Sequence, residues 1–293
     1  VKCERFGQVG SLPVNNFFPW LLVEDTQSGV FWGAQLYHGA SWQIELFRKD
    51  ENFAVSGGLA DREFGHWKKD VAPGESFCSP KAVLTVCEAD SLDLASDRLV
   101  KAQEDGLESL PAEEQELPLI FNEYCTTWGC PSQENIVKIL DALKGKGFTY
   151  FVIDCGWYKE DGVPWDVSMG DYQVSEALFP DGMEETVSAI RKAGFKPGIW
   201  FEFENVGPAS KAYQYTAHLL KRDGFVLTTG RRRFWDMNDP WVTTYLDERL
   251  IGMLKRYGFA YLKVDYNDTI GIGCDGWESQ GEGLRRNIEA TQA

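Results

Sequence analysis

Residues 260–267 read AYLKVDYN, an apolar run that turns polar at Lys263, Asp265 and Asn267. Side chains two apart on a strand share a face, so an ammonium, a carboxylate and an amide leave this strand on one side. Strand stability gains nothing from a Lys and an Asp at the mouth of an apolar run, so their placement points to chemistry. Upstream the pattern recurs. Residues 149–157 read TYFVIDCGW, where Asp154 closes a nearly all-apolar strand, and 198–204 read GIWFEFE, with Trp200, Glu202 and Glu204 on one face. Carboxylates gathered at the carboxyl ends of successive strands are how a (β/α) barrel builds its active site.

From Leu119 onward strands and helices alternate, which implies a parallel sheet with right-handed crossovers. Strands are expected at 119–124, 150–155, 198–203 and 261–265, with a shorter candidate at 234–237. Gly147, Gly194, Gly224 and Gly258 each follow a basic residue by one or two positions and directly precede Phe. Each is placed as the left-handed residue that ends a helix. Ser132 is placed to cap a helix whose Ile136, Ile139, Leu140 and Leu143 form an apolar stripe. A complete eight-stranded barrel takes about 250 residues, more than follow Pro118, so about the first four βα units are expected.

The front of the chain reads differently. Strands at 20–25, 42–47 and 81–87, with a hairpin turning at Gly29, suggest a sandwich, and a helix is expected over 91–103. The predicted fold class is α/β: a partial (β/α)8 TIM barrel preceded by part of an antiparallel β-sandwich domain. The domain reading is 1–105 for the partial sandwich with its connecting helix, 106–118 for an acidic linker, and 119–293 for the partial barrel. The chain opens on Val1 rather than Met, as a fragment is expected to do.

Composition limits the partners. A net charge of −16 argues against nucleic acid and anionic membrane surfaces, which need a basic face. Seven scattered cysteines without CxxC pairing and three distant histidines give no metal-ligand spacing. The expectation is no metal, no cofactor, reduced thiols and a cytoplasmic location. No segment reads as a signal peptide or an 18-residue apolar span.

Asp265 is the candidate nucleophile or general base, with Lys263 holding it ionised; the structural alternative is a plain ion pair between the two. Asp154 needs a partner at the end of an apolar strand, such as a sugar hydroxyl, an Arg or a backbone amide. Glu202 and Glu204 read as binding groups or as supports that orient Lys263. Trp128 and Trp200 read as stacking platforms or as core. Arg231 and Arg232, with Arg233, form a basic run that either is solvated or reaches the pocket. Asp171 lies in the long loop after the second barrel strand.

These residues carry a resemblance to glycoside hydrolase family 36, the α-galactosidase (melibiase) group. KVDYN at 263–267 resembles that family's KWDMN nucleophile motif, IDCGW resembles LDDGW, and GIWFEFE resembles GLWFEPE. MGDY and FPDGM follow in the family's order, and the β-rich front resembles the back half of its N-terminal sandwich. The resemblance implies a retaining exo-α-glycosidase acting on terminal α-galactosides of oligosaccharides. Asp265 is implied as the nucleophile, and Asp154, Cys155, Trp128, Trp200, Lys263, Asn267, Arg231 and Arg232 as substrate-binding residues. It also implies a homo-oligomer in the full-length protein. Two departures stand out. Cys155 replaces the second of the family's paired aspartates, which brings another glycone, such as N-acetylgalactosamine or glucose, into view. No residue matches the family's general acid, which lies on later strands. Other readings are another α-glycosidase or transglycosylase on the same scaffold, or a non-catalytic carbohydrate-binding or assembly subunit.

Overall fold

The computed structural model describes residues 3–59, 62–104 and 111–293. Over these residues the chain divides into two compact units: Val1–Ser109 with Arg222–Gly224 and Thr269–Ala293, and Leu110–Lys221 with Phe225–Asp268.

The first unit holds six strands: β1 (Cys3–Gln8), β2 (Trp20–Asp25), β3 (Val30–Tyr37), β4 (Trp42–Lys49), β5 (Asn52–Leu59) and β6 (Lys81–Glu88). They form two antiparallel sheets, ordered β1-β4-β5 and β2-β3-β6. Leu21 of one sheet meets Trp42 and Ile44 of the other, with Phe6, Val23, Leu36 and Leu46 around them. The β2–β3 hairpin turns where expected. Asp25 accepts hydrogen bonds from Gln27 N and Ser28 Oγ, and Gly29 takes φ +70°. Helix α1 (Leu92–Glu104) buries Ala95 and Leu99. The last helix, α8 (Gln280–Gln292), also belongs to this unit. Its Glu282 is fully buried and accepts from Trp67 Nε1 at 2.8 Å and Arg285 Nε at 2.7 Å.

The second unit begins with a short helix, α2 (Ala112–Gln115), and is organised by four parallel strands. These are β7 (Ile120–Asn122), β8 (Tyr150–Ile153), β9 (Lys196–Phe201) and β15 (Tyr261–Val264), hydrogen-bonded in the order β7-β8-β9-β15. Helices α4 (Gln133–Leu143), α5 (Gly182–Lys192) and α7 (Gly252–Tyr257) alternate with them. Strand order equals chain order, as in successive βα units of a barrel. Ser132 caps α4 by accepting from Asn135 N, and Ile136, Leu140 and Leu143 of that helix are buried. With Val187 and Ile190 of α5 and Phe151 and Ile199 of the sheet they form one core. A partial TIM barrel following sandwich-type antiparallel sheets is therefore the architecture, as expected.

Several local expectations need correction. The first barrel strand stops at Asn122 instead of 124, because the Asn122 side chain accepts from Tyr124 N and starts helix α3 (Tyr124–Thr127). The candidate at 234–237 is no barrel strand. Its first residue ends β14 (Arg232–Phe234), which pairs antiparallel with β10 (Asn205–Val206) and β13 (Thr228–Thr229). Gly224 ends no helix: Asp223 and Gly224 have φ +53° and +81° between β11 (Lys221–Arg222) and β12 (Phe225–Val226). Two positive φ values in succession make a tight hairpin turn. Gly194 and Gly258 do stand directly behind α5 and α7, whereas α4 ends at Leu143 and its left-handed turn begins at Gly145. Residues 106–110 of the expected linker lie outside the described residues. Between β14 and β15 run α6 (Pro240–Leu246), capped by Asp239, and a π-helical turn, Asp247–Ile251.

Candidate active site

Register decides which side chains meet. Ile153 pairs with Ile199 and Leu262 with Ile199 across the parallel ladders, so Asp154, Trp200 and Lys263 follow at one level. Gly198 lets the strands approach, since an added Cβ there would lie 2.8 Å from Val152 Cγ2. The Lys263 ammonium then donates to Asp154 Oδ2 at 2.7 Å, and Asn122 Nδ2 donates to the same oxygen at 2.6 Å. Asp154 is 2 % exposed, while the Lys263 side chain keeps 35 % of its surface. The partner of Asp154 is therefore a lysine from two strands away, and the alternative of a plain Lys263–Asp265 ion pair is corrected.

Asp265 is held by other groups. Trp200 Nε1 and Asn267 Nδ2 each donate to its Oδ2 at 3.0 Å, and Tyr266 N donates to Oδ1 at 2.9 Å. Burial pushes the Asp265 carboxyl up, but these hydrogen bonds outweigh it, Lys263 adds a smaller attraction, and the net shift is downward. The carboxylate stays charged in a half-buried position.

Glu202 is fully buried and fixes what surrounds Asp265. It accepts from Arg232 Nη1 at 2.5 Å, Asn205 Nδ2 at 2.8 Å, and from Asn267 through both its backbone N and Nδ2. It thus orients Asn267 rather than Lys263. Arg232 is 5 % exposed, also pairs with Asp268 at 3.1 Å, and sits over the Trp165 ring. Arg231 is exposed and pairs with Asp166 at 3.2 Å. Of the basic run, Arg232 is internal and Arg231 solvated, while Arg233 donates to Tyr213 O and lies over the Tyr213 ring.

The two tryptophans differ. Trp200 is fully buried, with Tyr158 stacked on it and Trp165 edge-on. It offers an N–H, not an open face. Trp128 is 69 % exposed in a left-handed conformation, with Tyr124 against its edge. Cys155 is 1 % exposed and packs in the core; burial, then the charge of Asp154, push its thiol far up. Asp171 spends both oxygens on Lys211 N and Ala212 N, which shapes the loop after β9.

One residue was missed. Glu123 is fully buried, accepts from Thr127 Oγ1 at 2.5 Å and from Asp154 N at 3.0 Å, and so fixes the backbone that presents Asp154. Burial raises its carboxyl to about 7, against the hydrogen bonds that favour its charge. Glu204 is likewise raised to about 7, by burial and then by Glu202. No cluster of three or more His, Cys, Asp or Glu side chains able to hold a metal occurs among the described residues.

The Melibiase family profile matches residues 76–287, most of the chain. The chain belongs to the Melibiase family. This Melibiase chain is 27 % identical over 274 residues to α-galactosidase 1 of Pediococcus pentosaceus, covering 90 % of the chain and 36 % of that protein. It is 26 % identical to α-galactosidase Mel36A of Lactobacillus acidophilus, over 93 % and 38 % of the respective lengths. Among solved structures, the α-galactosidase of Lactobacillus brevis superposes with TM-score 0.82 at 22 % identity, over 99 % of the Melibiase chain and 40 % of that one. A glycoside hydrolase family 36 enzyme of Geobacillus stearothermophilus, AgaA, in a variant solved with stachyose, gives TM-score 0.85 at 20 % identity, over 99 % and 41 %. The Melibiase chain thus spans well under half the length of these relatives.

Proposed function

We propose that the protein carrying this chain is a retaining exo-α-galactosidase, and that this chain supplies its nucleophile and much of its sugar pocket. The observation that carries the reading is Asp265: a charged carboxylate, aimed by three hydrogen-bond donors, beside the pair of Lys263 with the buried Asp154 at the carboxyl end of a barrel sheet. In this reading Asp265 attacks the anomeric carbon, the glycosidic oxygen departs with a proton from a carboxylic acid, and water later releases the sugar. Lys263 and Asp154 are suited to hydroxyl recognition, since an ammonium donates and a carboxylate accepts. Trp200 and Asn267 position Asp265, Arg232 acts through Glu202, and Trp128 and Arg231 face outward where a longer oligosaccharide would extend. Cys155 lines the interior beside Asp154. The galactosidase names of the relatives, and the raffinose and stachyose bound to one of them, support α-linked galacto-oligosaccharides as substrates. Scattered cysteines support a cytoplasmic, reducing location, and an oligomeric full-length enzyme completes the reading.

Cys155 favours a second reading, in which the same machinery takes another α-linked glycone, because a thiol accepts hydrogen bonds poorly where a carboxylate would accept well. The test uses an activated, fluorinated α-galactosyl fluoride. Fluoride leaves without protonation, so the nucleophile is examined without a general acid. The expected result is a covalent adduct on the peptide carrying Asp265, absent from the Asp265→Asn variant. Adduct on another carboxylate, or persistent labelling of the variant, would sink the assignment. Labelling by the glucosyl but not the galactosyl reagent would favour the second reading.

A further inference from the structure

Glu123 is built into the turn that follows β7, and each of its polar groups is engaged. Its N–H donates to Val152 O in β8 at 3.2 Å, and its C=O accepts from Thr126 N at 2.8 Å. Its fully buried side chain accepts from Asp154 N through Oε1 and from Thr127 Oγ1 through Oε2. Asn122, next to it, donates to Asp154 Oδ2 and accepts from Tyr124 N. These two neighbours hold Asp154 by its backbone and by its side chain, and they hold both ends of α3 as well.

Charge is less evenly matched. A single backbone N–H separates the Glu123 carboxyl from the residue that carries the Asp154 carboxyl, and both residues are almost wholly inside the protein. The titratable groups facing Glu123 are Asp154 and the Cys155 thiol after β8, and Lys263 on β15. Cys155 stays a neutral thiol, because burial and then Asp154 push it far up. One ammonium thus stands against two buried carboxyls. It pairs with Asp154 at 2.7 Å, and Glu123 has no ion pair among the described residues. Like charges so placed disfavour each other, and Glu123, raised to about 7 chiefly by burial, keeps its proton in mild acid. A proton on Oε2 reverses the bond to Thr127, so that Glu123 donates to the hydroxyl, while Oε1 goes on accepting from Asp154 N.

We infer that Glu123 is a positioning residue of the sugar pocket, acting through Asp154 and Lys263: while it is neutral the ammonium serves Asp154 and a sugar hydroxyl, and once it is ionised the ammonium is divided between two carboxylates. Its role rests on the reading of that pair as the groups that recognise sugar hydroxyls. The sign follows from burial. The Lys263 side chain keeps 35 % of its surface, and a sugar that covers it removes water from the same cluster. A second carboxylate charge is then harder to sustain. The sugar therefore favours neutral Glu123, and binding weakens as pH climbs through 7.

Two measurements on the chain test this. The first needs no sugar: the backbone amide of Asp154, which donates to Glu123 Oε1, is followed by NMR from pH 5 to pH 9. In wild type that amide should titrate with a midpoint near 7. The titration should vanish in Glu123→Gln and move to higher pH in Lys263→Met, which removes the attraction that favours the charge. The second is the rate at which the fluorinated α-galactosyl fluoride labels Asp265. Asp265, its carboxyl below the ordinary range, is ionised throughout, and fluoride needs no acid. The rate should still fall at least about fivefold between pH 5.5 and pH 8.5. Glu123→Gln, whose amide keeps both hydrogen bonds, should label at the wild-type low-pH rate across the range. Glu204, also raised to about 7, is the control, and Glu204→Gln should keep the pH dependence. An Asp154 amide that does not titrate, or a midpoint indifferent to Lys263→Met, would overturn the inference. So would a pH dependence of labelling that survives in Glu123→Gln or disappears in Glu204→Gln. No labelling of wild-type Asp265 at any pH, with the amide titrating as expected, would count against the galactosidase reading and uphold the link between Glu123 and Lys263.

Discussion

At the scale of single residues, the site depends on how buried charge is satisfied. Asp154 is almost wholly inside the protein, and its ammonium partner comes from a strand two positions away in the sheet. Replacing Lys263 by Met leaves that carboxylate with Asn122 alone. Breaking a fully buried pair costs roughly 3–5 kcal/mol; with Lys263 partly exposed, about 2 kcal/mol is expected, read as a lowered urea midpoint. Glu123 gives the opposite sign. Its carboxyl is raised to about 7 from an ordinary value near 4.5, so the folded state prefers it protonated. A raised carboxyl leaves stability intact at pH 4 and erodes it as pH climbs through 7. The full effect is on the order of 3 kcal/mol. Glu123→Gln should therefore flatten the loss of stability between pH 5 and pH 8 in urea melts, and an unchanged slope would contradict the assignment.

At the scale of elements, short-range geometry is where strands and loops are most exposed to change. Gly156 follows Asp154 and Cys155 with φ +93°, and an added Cβ would lie 2.1 Å from Gly129 O. Backbone cannot yield there without moving both loops, so Gly156→Ala should cost more than about 3 kcal/mol, seen as a large fall in Tm or insoluble expression. Ser132→Ala removes the cap of α4 and should cost about 1 kcal/mol. Much at this scale was legible in advance. Asp154, Lys263 and Asp265 stood out because period-two alternation makes a polar residue at the end of an apolar run conspicuous. What escaped had weaker local signals. Glu123 follows a three-residue strand, and one Asn side chain turns the chain out of the sheet before any alternation can develop. Strands β10 to β14 have two or three residues each, too few for a period. The Lys263–Asp154 pair needed the strand register, because sequence spacing favours the nearer Asp265.

At the scale of the whole molecule, the two units present unequal surfaces. Strands β7 and β15 are the edges of the parallel sheet, with unpaired backbone groups that invite association. Trp32, Phe53, Leu84 and Val86 are all about half exposed or more on the sandwich-type unit, a further adhesive surface. Against these acts a net charge of −16, which keeps copies apart only at low ionic strength. Light scattering of the purified chain should therefore show self-association that grows with added salt; a monodisperse monomer at every ionic strength would count against it. No helix among the described residues is long and apolar enough to cross a membrane.

The burial of Cys155 has a practical consequence. It and Cys274 are each 1 % exposed, one in each unit, whereas Cys3, Cys78, Cys125 and Cys130 lie on the surface. A thiol reagent added to the native protein will consume the surface sulfurs at once. It then waits for the structure to open before it reaches the other two. The two delayed alkylation rates are therefore separate clocks, one for the breathing of the parallel sheet and one for the unit before it, already built into the chain.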